Sequence, residues 1–451
     1  MLPVEVIRMD TTTTHGSNGS TGSTGSTPDS TPGAAPGAAM AARERSSRRL
    51  PAGVYLLGFC LFAMGSAEFL LAGVLPAMAD DLDVSLSSAG FLITAFALGV
   101  VIGGPPLAVL GLRWPRRTAL VATQAVFAIG IVVGLLGNYQ VLLVSRVVSG
   151  VAYAGFFAVA SVTAIGLVTP ERNARASGVV VSGLSVAMVA GGPAGTLIGH
   201  FTQWRGGFWG VVVLTIAGAV GCLVGLPADD RRAGHAVGPR VSREFATMRN
   251  PLLWGIYAIT VLTTAAYMIT FNYLAAMLTD VTGVPEVWIP AVLALFGVGA
   301  FVGLSIGGRI SDRRPHLALL AGASAIVVLS VVMVVALRAA WAVVPTVLLL
   351  GIAAFVPNPA VYGRVFAIAA EAPTLAGAGT VSAFQFGISV TPALAAVSFG
   401  QGATLTSLCL IGAALAATAI PLVLVDRSRR EAARGDRDVR SPDRGAIPVK
   451  R

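Results

Sequence analysis

Long apolar runs separated by short polar segments make up most of this 451-residue chain. A helix needs roughly 20 apolar residues to cross a hydrocarbon core of about 30 Å, where it satisfies its own backbone polar groups. Twelve runs reach that length. We therefore predict twelve transmembrane helices, six over residues 52–78, 88–111, 117–137, 141–167, 177–199 and 207–227, and six over residues 251–278, 287–308, 317–337, 341–363, 375–398 and 403–425.

Polar segments divide the chain into two halves of six helices. Residues 1–51 are rich in Thr, Ser, Gly and Pro, which cannot bury a core, and are predicted to form a disordered cytoplasmic tail. A basic cytoplasmic linker, residues 228–250, is predicted between an N-terminal six-helix bundle (52–227) and a C-terminal one (251–425). Residues 426–451 are predicted as a charged cytoplasmic tail. The predicted fold class is an all-α polytopic membrane protein with two six-helix halves.

Composition and charge agree with this count of helices. The chain is 55% hydrophobic and 12% charged, with a mean hydropathy of +0.79, which excludes an ordinary soluble domain. With the N-terminus in the cytoplasm, 28 of the 31 Lys and Arg residues fall in cytoplasmic segments, as is typical of multi-pass membrane proteins. We therefore expect a multi-pass protein of the cell membrane with both termini cytoplasmic. The net charge of +10 lies almost entirely in loops and tails, so no nucleic-acid partner is expected.

Apart from Arg117 at the first residue of the third predicted span, Glu68 and Arg146 are the only charged residues that this count places inside the predicted spans. An ionisable side chain at membrane depth costs at least ~2.5 kcal/mol unless it faces water, a bundle interior or a partner, so both are candidate functional residues. Counting along the first and fourth spans puts both in the outer half of the membrane, where Arg146 would stabilise ionised Glu68 directly or through water. Such a carboxylate suits the loading and release of a proton. The alternative is that each residue serves only helix assembly.

Two basic loops recur in the two halves. The loop after the second span reads GLRWPRR (residues 111–117), and the loop after the eighth reads GRISDRRPH (residues 308–316). Leu112 and Asp312 occupy matching positions 200 residues apart, a pattern typical of transporters built from two related halves. On these loops the chain resembles the major facilitator superfamily, whose cytoplasmic signature combines an Asp, glycines and basic residues.

In that family the two loops latch the halves in one conformational state. This sequence departs from the signature in the first copy, where Leu112 replaces the Asp and Pro115 replaces a Gly, whereas Asp312 keeps the acid in the second copy. The first latch would then depend on basic side chains that contact helix carbonyl ends or other acids. The resemblance implies a conformational latch formed by Arg113, Arg116, Arg117, Asp312 and Arg313.

Three further stretches extend the resemblance to the drug/proton antiporters of this superfamily. Residues 143–150, LVSRVVSG, are similar to a fourth-span pattern whose Arg is linked to proton transfer. Residues 183–199 are similar to a fifth-span motif built around Gly192 and Pro193, in which small residues allow close packing and the proline bends the helix. Residues 67–99 are similar to the chloramphenicol-efflux branch, although sugar and nucleoside exporters share much of this pattern.

A pocket for a near-neutral amphiphile should be mainly apolar, with a few polar groups that orient the ligand. Polar side chains near the middle of three second-half spans are candidates, although each alone also fits an interhelical hydrogen bond. One of them, Asn358, lies between two prolines, so a helix break is a second explanation of its presence. The candidate substrate-binding residues are Tyr267, Asn272, Tyr273, Asn358 and Gln385.

The leading hypothesis is a monomeric secondary transporter, not an enzyme, that exports chloramphenicol or a related phenicol in exchange for protons. No cofactor and no metal are expected, because the proton gradient would drive transport; the partners would be the drug, protons and the lipid bilayer. One alternative is export of a sugar or purine nucleoside, for which the spans offer few carboxylate and amide groups. Others are a non-transporting receptor and a membrane enzyme, although the four His residues lie in tails and loops without a connecting motif.

Overall fold

The structure is a computed structural model that describes residues 50–110, 114–169, 172–227, 246–370 and 373–440. Within these ranges, twelve helices are long and apolar enough to cross a membrane, which confirms the predicted count. Arg113 of the predicted latch lies outside the described residues. So do the predicted tail up to residue 49, the linker over residues 228–245 and the chain after residue 440.

Six spans form the first half, and several extend beyond the apolar runs that predict them. Their bounds are Ala52–Asp81 for span 1, Leu86–Leu110 for span 2, Arg116–Leu136 for span 3, Tyr139–Gly166 for span 4, the consecutive segments Asn173–Val186, Ala187–Gly191 and Gly192–Thr202 for span 5, and Trp204–Gly225 for span 6.

Six further spans form the second half, two of them with irregular turns. Their bounds are Pro251–Asn272 for span 7, which short turns continue to Thr282, Ile289–Ser311 for span 8, Pro315–Ala336 for span 9, the segments Ala340–Phe355 and Asn358–Ile368 for span 10, Pro373–Gly400 for span 11, and Ser407–Arg440 for span 12. The sequence predicts a charged tail from residue 426, whereas span 12 stays helical to Arg440.

The spans run alternately up and down, so each end of the bundle collects one set of helix ends. We call end A the one where spans 1 and 7 begin, at Pro51 and Asn250, and end B the one that holds Asp81 and Glu286. One contact between the halves lies at end B. There His200 Nδ1 lies 3.4 Å from Glu286 Oε2.

A second contact between the halves lies deeper, where span 2 packs along span 11. Thr94 Oγ1 donates a hydrogen bond of 2.8 Å to the backbone oxygen of Ser389. On the same face of span 2, an added Cβ at Gly90 would overlap the hydroxyl of Tyr273. Farther along span 2, a Cβ added at Gly104 would lie 3.3 Å from Ser382 Oγ of span 11, so the halves are in contact from end B to well past mid-depth.

Span 5 contains a π-helical turn, Ala187–Gly191, directly before Gly192 and Pro193. Pro193 has no backbone N–H, so the carbonyl four residues earlier, at Val189, loses its α-helical donor. The wider turn absorbs this irregularity without ending the helix inside the membrane. Beside it, a Cβ added at Gly192 would lie 2.8 Å from the Cβ of Phe69, so span 5 approaches span 1 closely here.

Span 10 is interrupted at Pro357, and its second segment begins at Asn358. Pro357 and Pro359 each lack a backbone donor, so the helix cannot continue its hydrogen-bond ladder through both positions. The interruption puts Asn358 at the first residue of a helix, as the structural alternative in the sequence analysis expects.

Spans 2 and 4 touch through backbone, and spans 8 and 10 repeat the contact. A methyl group added at Gly150 would overlap the backbone oxygen of Phe96, and one added at Gly351 would overlap that of Phe296. The second pair lies 200 and 201 residues after the first, the offset that the two basic loops predict. The two six-helix halves are thus built on the same close contact.

We expect Gly150→Ala to destabilise the protein by about 1–3 kcal/mol, because the added carbon can be accommodated only if spans 2 and 4 separate. The measurement is the melting temperature of detergent-purified protein. The matched control is Gly255→Ala in span 7, where an added Cβ meets nothing within 4 Å, so that helix propensity alone should leave stability equal or raise it by up to ~1 kcal/mol. Equal melting temperatures for the two variants would contradict the packing argument.

Candidate functional site

A cavity of about 150 Å³ lies between the two halves, from mid-depth toward end A. Residues of spans 1, 4, 5, 7, 8, 10 and 11 line it, so both halves contribute to its wall. Most of the wall is apolar or aromatic, and its described polar groups include a carboxylate, two amides and three phenols. The polar lining residues discussed below are Glu68, Asn358, Gln385, Tyr153, Tyr267 and Tyr362.

Glu68 lies in the middle of span 1, and its side chain faces this cavity. The residues on either side of it, Ala67 and Phe69, are buried, whereas Glu68 keeps an intermediate exposure because it borders the cavity. Its neighbourhood is therefore neither lipid nor closed protein interior. A carboxylate placed in this way can exchange a proton with whatever fills the cavity.

Gln385 of span 11 joins the second half to Glu68 of the first. Its Nε2 donates a hydrogen bond of 3.0 Å to Glu68 Oε1, and the Gln385 side chain is buried. Its Oε1 has no partner among the residues that the structure describes. The Gln385 amide can thus donate a hydrogen bond to an ionised carboxylate, and its oxygen can still accept a second hydrogen bond.

Arg146 is buried in span 4, yet it does not contact Glu68. Its Nε donates a hydrogen bond of 3.4 Å to the backbone oxygen of Leu92, and its guanidinium carbon lies 4.5 Å from the centre of the Phe96 ring. Within the described ranges, no ion pair of 4.0 Å or less joins Arg146 to Glu68. The predicted direct pairing is therefore absent, and Arg146 acts on Glu68 only through the field of its charge.

A difference in depth explains why the two charges do not meet. Span 1 extends to Asp81, so Glu68 lies 13 residues, or roughly 20 Å, from end B. Span 4 begins at Tyr139, which puts Arg146 seven residues, or roughly 10 Å, from the same end. The apolar run that predicts span 1 ends at Met78, and the helix continues for three more residues, so Glu68 lies farther from the helix end than expected.

The five predicted substrate-binding residues separate into two groups. Tyr267, Asn358 and Gln385 line the central cavity. Asn272 does not line it; its Nδ2 donates a hydrogen bond of 2.9 Å to Thr391 Oγ1, which is the interhelical role that the sequence analysis leaves open. Tyr273 is buried nearer end B, with its ring edge-to-face on Phe399 at 6.0 Å between centroids.

Other aromatic residues of the cavity wall escape sequence reasoning. Tyr153 and Tyr362 line the cavity from spans 4 and 10, and Phe384 lies 5.8 Å from Tyr362 between ring centroids. No single residue signal marks them, because buried aromatics are common in apolar helices.

The described residues of the predicted latch, Arg116, Arg117, Asp312 and Arg313, lie at end A. Arg117 Nη2 donates a hydrogen bond to the backbone oxygen of Leu223 near the end of span 6, which is the contact with a helix carbonyl end that the sequence analysis proposes for this loop. Asp312 and Arg313 are exposed after span 8. Among the described residues, Asp312 takes part in no ion pair. Arg116, in the other loop, lies beside Gly166 of span 4.

A buried charge cluster in the second half corrects the predicted count of charges inside the spans. Arg364 Nη2 donates to both oxygens of Asp426 at 2.6 and 2.8 Å, and His316 Nε2 lies 2.9 Å from Asp426 Oδ2. Two predicted spans end at residues 363 and 425, one residue before each member of the pair. The prediction therefore assigns Arg364 to a loop and Asp426 to the C-terminal tail, whereas spans 10 and 12 continue past them. His316 likewise has a charged partner that no sequence motif indicates.

No group of three or more His, Cys, Asp or Glu side chains suited to a metal ion occurs in the part of the chain that the structure describes. The chemistry available in the central cavity is thus proton binding, hydrogen bonding and contact with aromatic surface.

Comparison with known proteins places this arrangement in a family. Residues 57–392 match the sequence profile of the Major Facilitator Superfamily. The chain is 38% identical over 353 residues to the chloramphenicol resistance protein of Streptomyces lividans, covering 78% of this chain and 90% of that one. It is 29% identical to the Escherichia coli inner membrane transport protein YdhP, covering 82% and 94% of the two chains. It is also 29% identical to a chloramphenicol efflux pump of Mycobacterium tuberculosis, covering 61% and 66%.

Solved structures agree on the fold. The crystal structure of a mutant of the nucleoside transporter NupG superposes with a TM-score of 0.67 over 83% of this chain and 98% of that one. The two sequences are only 14% identical, so this likeness concerns the architecture alone.

Proposed function

The chain belongs to the major facilitator superfamily of transporters, and from this premise we propose that it is a proton-coupled exporter of chloramphenicol or a related phenicol. It would act in the cell membrane as a monomer, with both termini in the cytoplasm. End A would be the cytoplasmic end, because the basic residues after spans 4 and 8 lie there and cationic loops favour that side.

The observation that carries this proposal is the position of Glu68 on the cavity wall with Gln385 of the other half bonded to it. A proton site that also forms part of the contact between the halves allows protonation to change that contact. Hydrogen bonds to an ionised group are roughly twice as strong as neutral ones. Protonation of Glu68 would therefore weaken the bond from Gln385.

This difference supports a cycle of exchange. With Glu68 ionised, the cavity faces end A and takes up drug from the cytoplasm. A proton that arrives from the outside neutralises Glu68, weakens its bond to Gln385 and favours release of the drug on that side. Arg146 would favour ionised Glu68 through its charge without contact, and the loops with Arg113, Arg116, Arg117, Asp312 and Arg313 would bias the equilibrium between the two states.

The cavity wall fits a drug with an aromatic ring better than a polyol. Tyr153, Tyr267 and Tyr362 offer ring faces, and the amide of Asn358 offers one donor and one acceptor. The cavity of about 150 Å³ is smaller than the ~300–1,000 Å³ of typical drug pockets, so loading requires its side chains to move apart. Gly192 and Pro193 bend span 5 beside the cavity, and the adjacent π-helical turn is a place where such movement would be absorbed.

Proton movement in everted membrane vesicles tests the function. We expect chloramphenicol, added to vesicles with an acidic lumen, to release protons and restore the fluorescence of a lumenal pH dye. Vesicles without the protein are the control. A response to a sugar or a purine nucleoside but not to chloramphenicol would support the alternative substrate class, and no response to any drug of a panel would favour a receptor.

A further inference from the structure

A second cavity, of about 770 Å³, opens at end A of the second half. It lies among the loop from span 8 to span 9, the second segment of span 10 and the end of span 12, and it shares no lining residue with the central cavity. Its charged and titratable lining residues are Asp312, Arg313, Arg314, His316, Arg364 and Arg427.

This cavity carries an excess of positive charge. Arg364 satisfies Asp426, which lies behind the lining. Of the other charged lining residues, Arg313 and Arg314 take part in no ion pair among the described residues, and with Asp312 they leave a net positive charge for an anionic ligand. The excess is local and does not follow from the net charge of the chain.

Two backbone and side-chain features add to the preference for an anion. Span 9 begins at Pro315, and the residue before it, Arg314, makes no side-chain cap to the first turn, so the positive end of this helix faces the cavity. The buried hydroxyl of Ser311, also in the lining, has no partner among the described residues. A hydroxyl, a helix start and two arginines at one place form a set of donors for phosphate oxygens.

Apolar side chains border the charged lining. Leu317, Ala360 and Ala367 line the cavity, and Leu317 is 47% exposed. In a membrane protein, exposed apolar side chains on spans face acyl chains. The cavity therefore combines a cationic pocket with an apolar border, the pattern that suits a molecule with an anionic head and apolar tails.

We propose that this cavity binds a phosphate-bearing anion, and that the phosphodiester headgroup of an anionic phospholipid such as phosphatidylglycerol supplies it. Arg313 and Arg314 would contact the phosphate, Ser311 would donate a hydrogen bond, and the acyl chains would lie along Leu317. The site shares no lining residue with the central cavity, and although Arg313 is also a proposed latch residue, binding here does not depend on which molecule is transported.

Native mass spectrometry of the purified full chain, titrated with short-chain lipids, tests the proposal. We expect saturable binding of phosphatidylglycerol and much weaker binding of phosphatidylcholine. Arg313→Gln or Arg314→Gln should lower the affinity for phosphatidylglycerol about fivefold each, and the double variant roughly 30-fold. The matched control is Arg338→Gln, an exposed Arg at end B that should leave the affinity unchanged. Melting temperatures of all variants report whether they are folded.

Inorganic phosphate and glycerol phosphate, added as competitors, distinguish the source of the anion. Competition at micromolar concentrations that depends on Arg313 and Arg314 would support the same anion site with a soluble ligand. Two results would overturn the proposal: equal binding of phosphatidylcholine and phosphatidylglycerol without phosphate competition, or phosphatidylglycerol binding that the double variant leaves unchanged.

Discussion

Glu68→Gln is expected to reduce chloramphenicol-driven proton release in vesicles to the level of vesicles without the protein. The substitution keeps the size of the side chain and its ability to accept a hydrogen bond from Gln385, but it removes the one described group in the central cavity that can carry and lose a proton at ordinary pH. Cells that express the variant should be as sensitive to chloramphenicol as the host. The measurements are vesicle fluorescence and growth inhibition in a pump-deficient strain.

The matched control is Glu286→Gln at end B. This carboxylate is largely exposed and contacts only His200 among its described neighbours, so its loss should leave coupled transport near the wild-type level. Equal amounts of the two variants in the membrane exclude a folding defect. If Glu68→Gln retains coupled transport, Glu68 is not the proton carrier, and the mechanism loses its main support.

Asp426→Asn is expected to destabilise the protein by about 3–5 kcal/mol, the effect of breaking a buried ion pair from one side. Arg364 would remain buried, but the Asn side chain offers it only one acceptor oxygen and no negative charge. His316 would also lose its charged neighbour. The expected readout is a large fall in melting temperature and in the yield of monodisperse protein. The pair Arg364→Met with Asp426→Leu should recover most of the loss, because an apolar replacement of both partners leaves no buried charge behind.

Asp81→Asn provides the comparison at the surface. Asp81 accepts a hydrogen bond of 2.6 Å from Arg205, but both side chains are about a third exposed, so the loss should be near 1 kcal/mol. Equal losses of stability for Asp81→Asn and Asp426→Asn would mean that burial does not increase the cost of breaking the Arg364–Asp426 pair, which would contradict this prediction.

Run length and charge distribution predict the twelve spans well because both report directly on the cost of polar groups in a membrane. The same reasoning misses Arg364 and Asp426, since a pair that neutralises itself allows a helix to continue past the end of its apolar run. It also predicts that Glu68 and Arg146 lie close together. The depth of each residue is counted from the end of its predicted helix, and the observed helices end a few residues beyond the predicted ends.

Prediction of the cavity wall depends on which face each helix turns to its neighbours. Polar residues such as Gln385 and Asn358 stand out in an apolar helix and can be proposed, but Asn272 and Tyr273 stand out equally and face span 11 and its surroundings instead. Tyr153 and Tyr362 do not stand out at all. Facing direction follows from packing between spans, which a single sequence does not contain.

The two backbone contacts, Phe96 with Gly150 and Phe296 with Gly351, also have a practical meaning for engineering. Neither contact involves a side chain that could be repacked, so Gly150 and Gly351 tolerate almost no variation and should be kept constant in any mutant library. Tyr362 and Phe384 instead line the central cavity and are only partly buried. Randomising them should change which molecules are carried at little risk to expression, which makes the cavity wall the natural target for laboratory evolution of new selectivity.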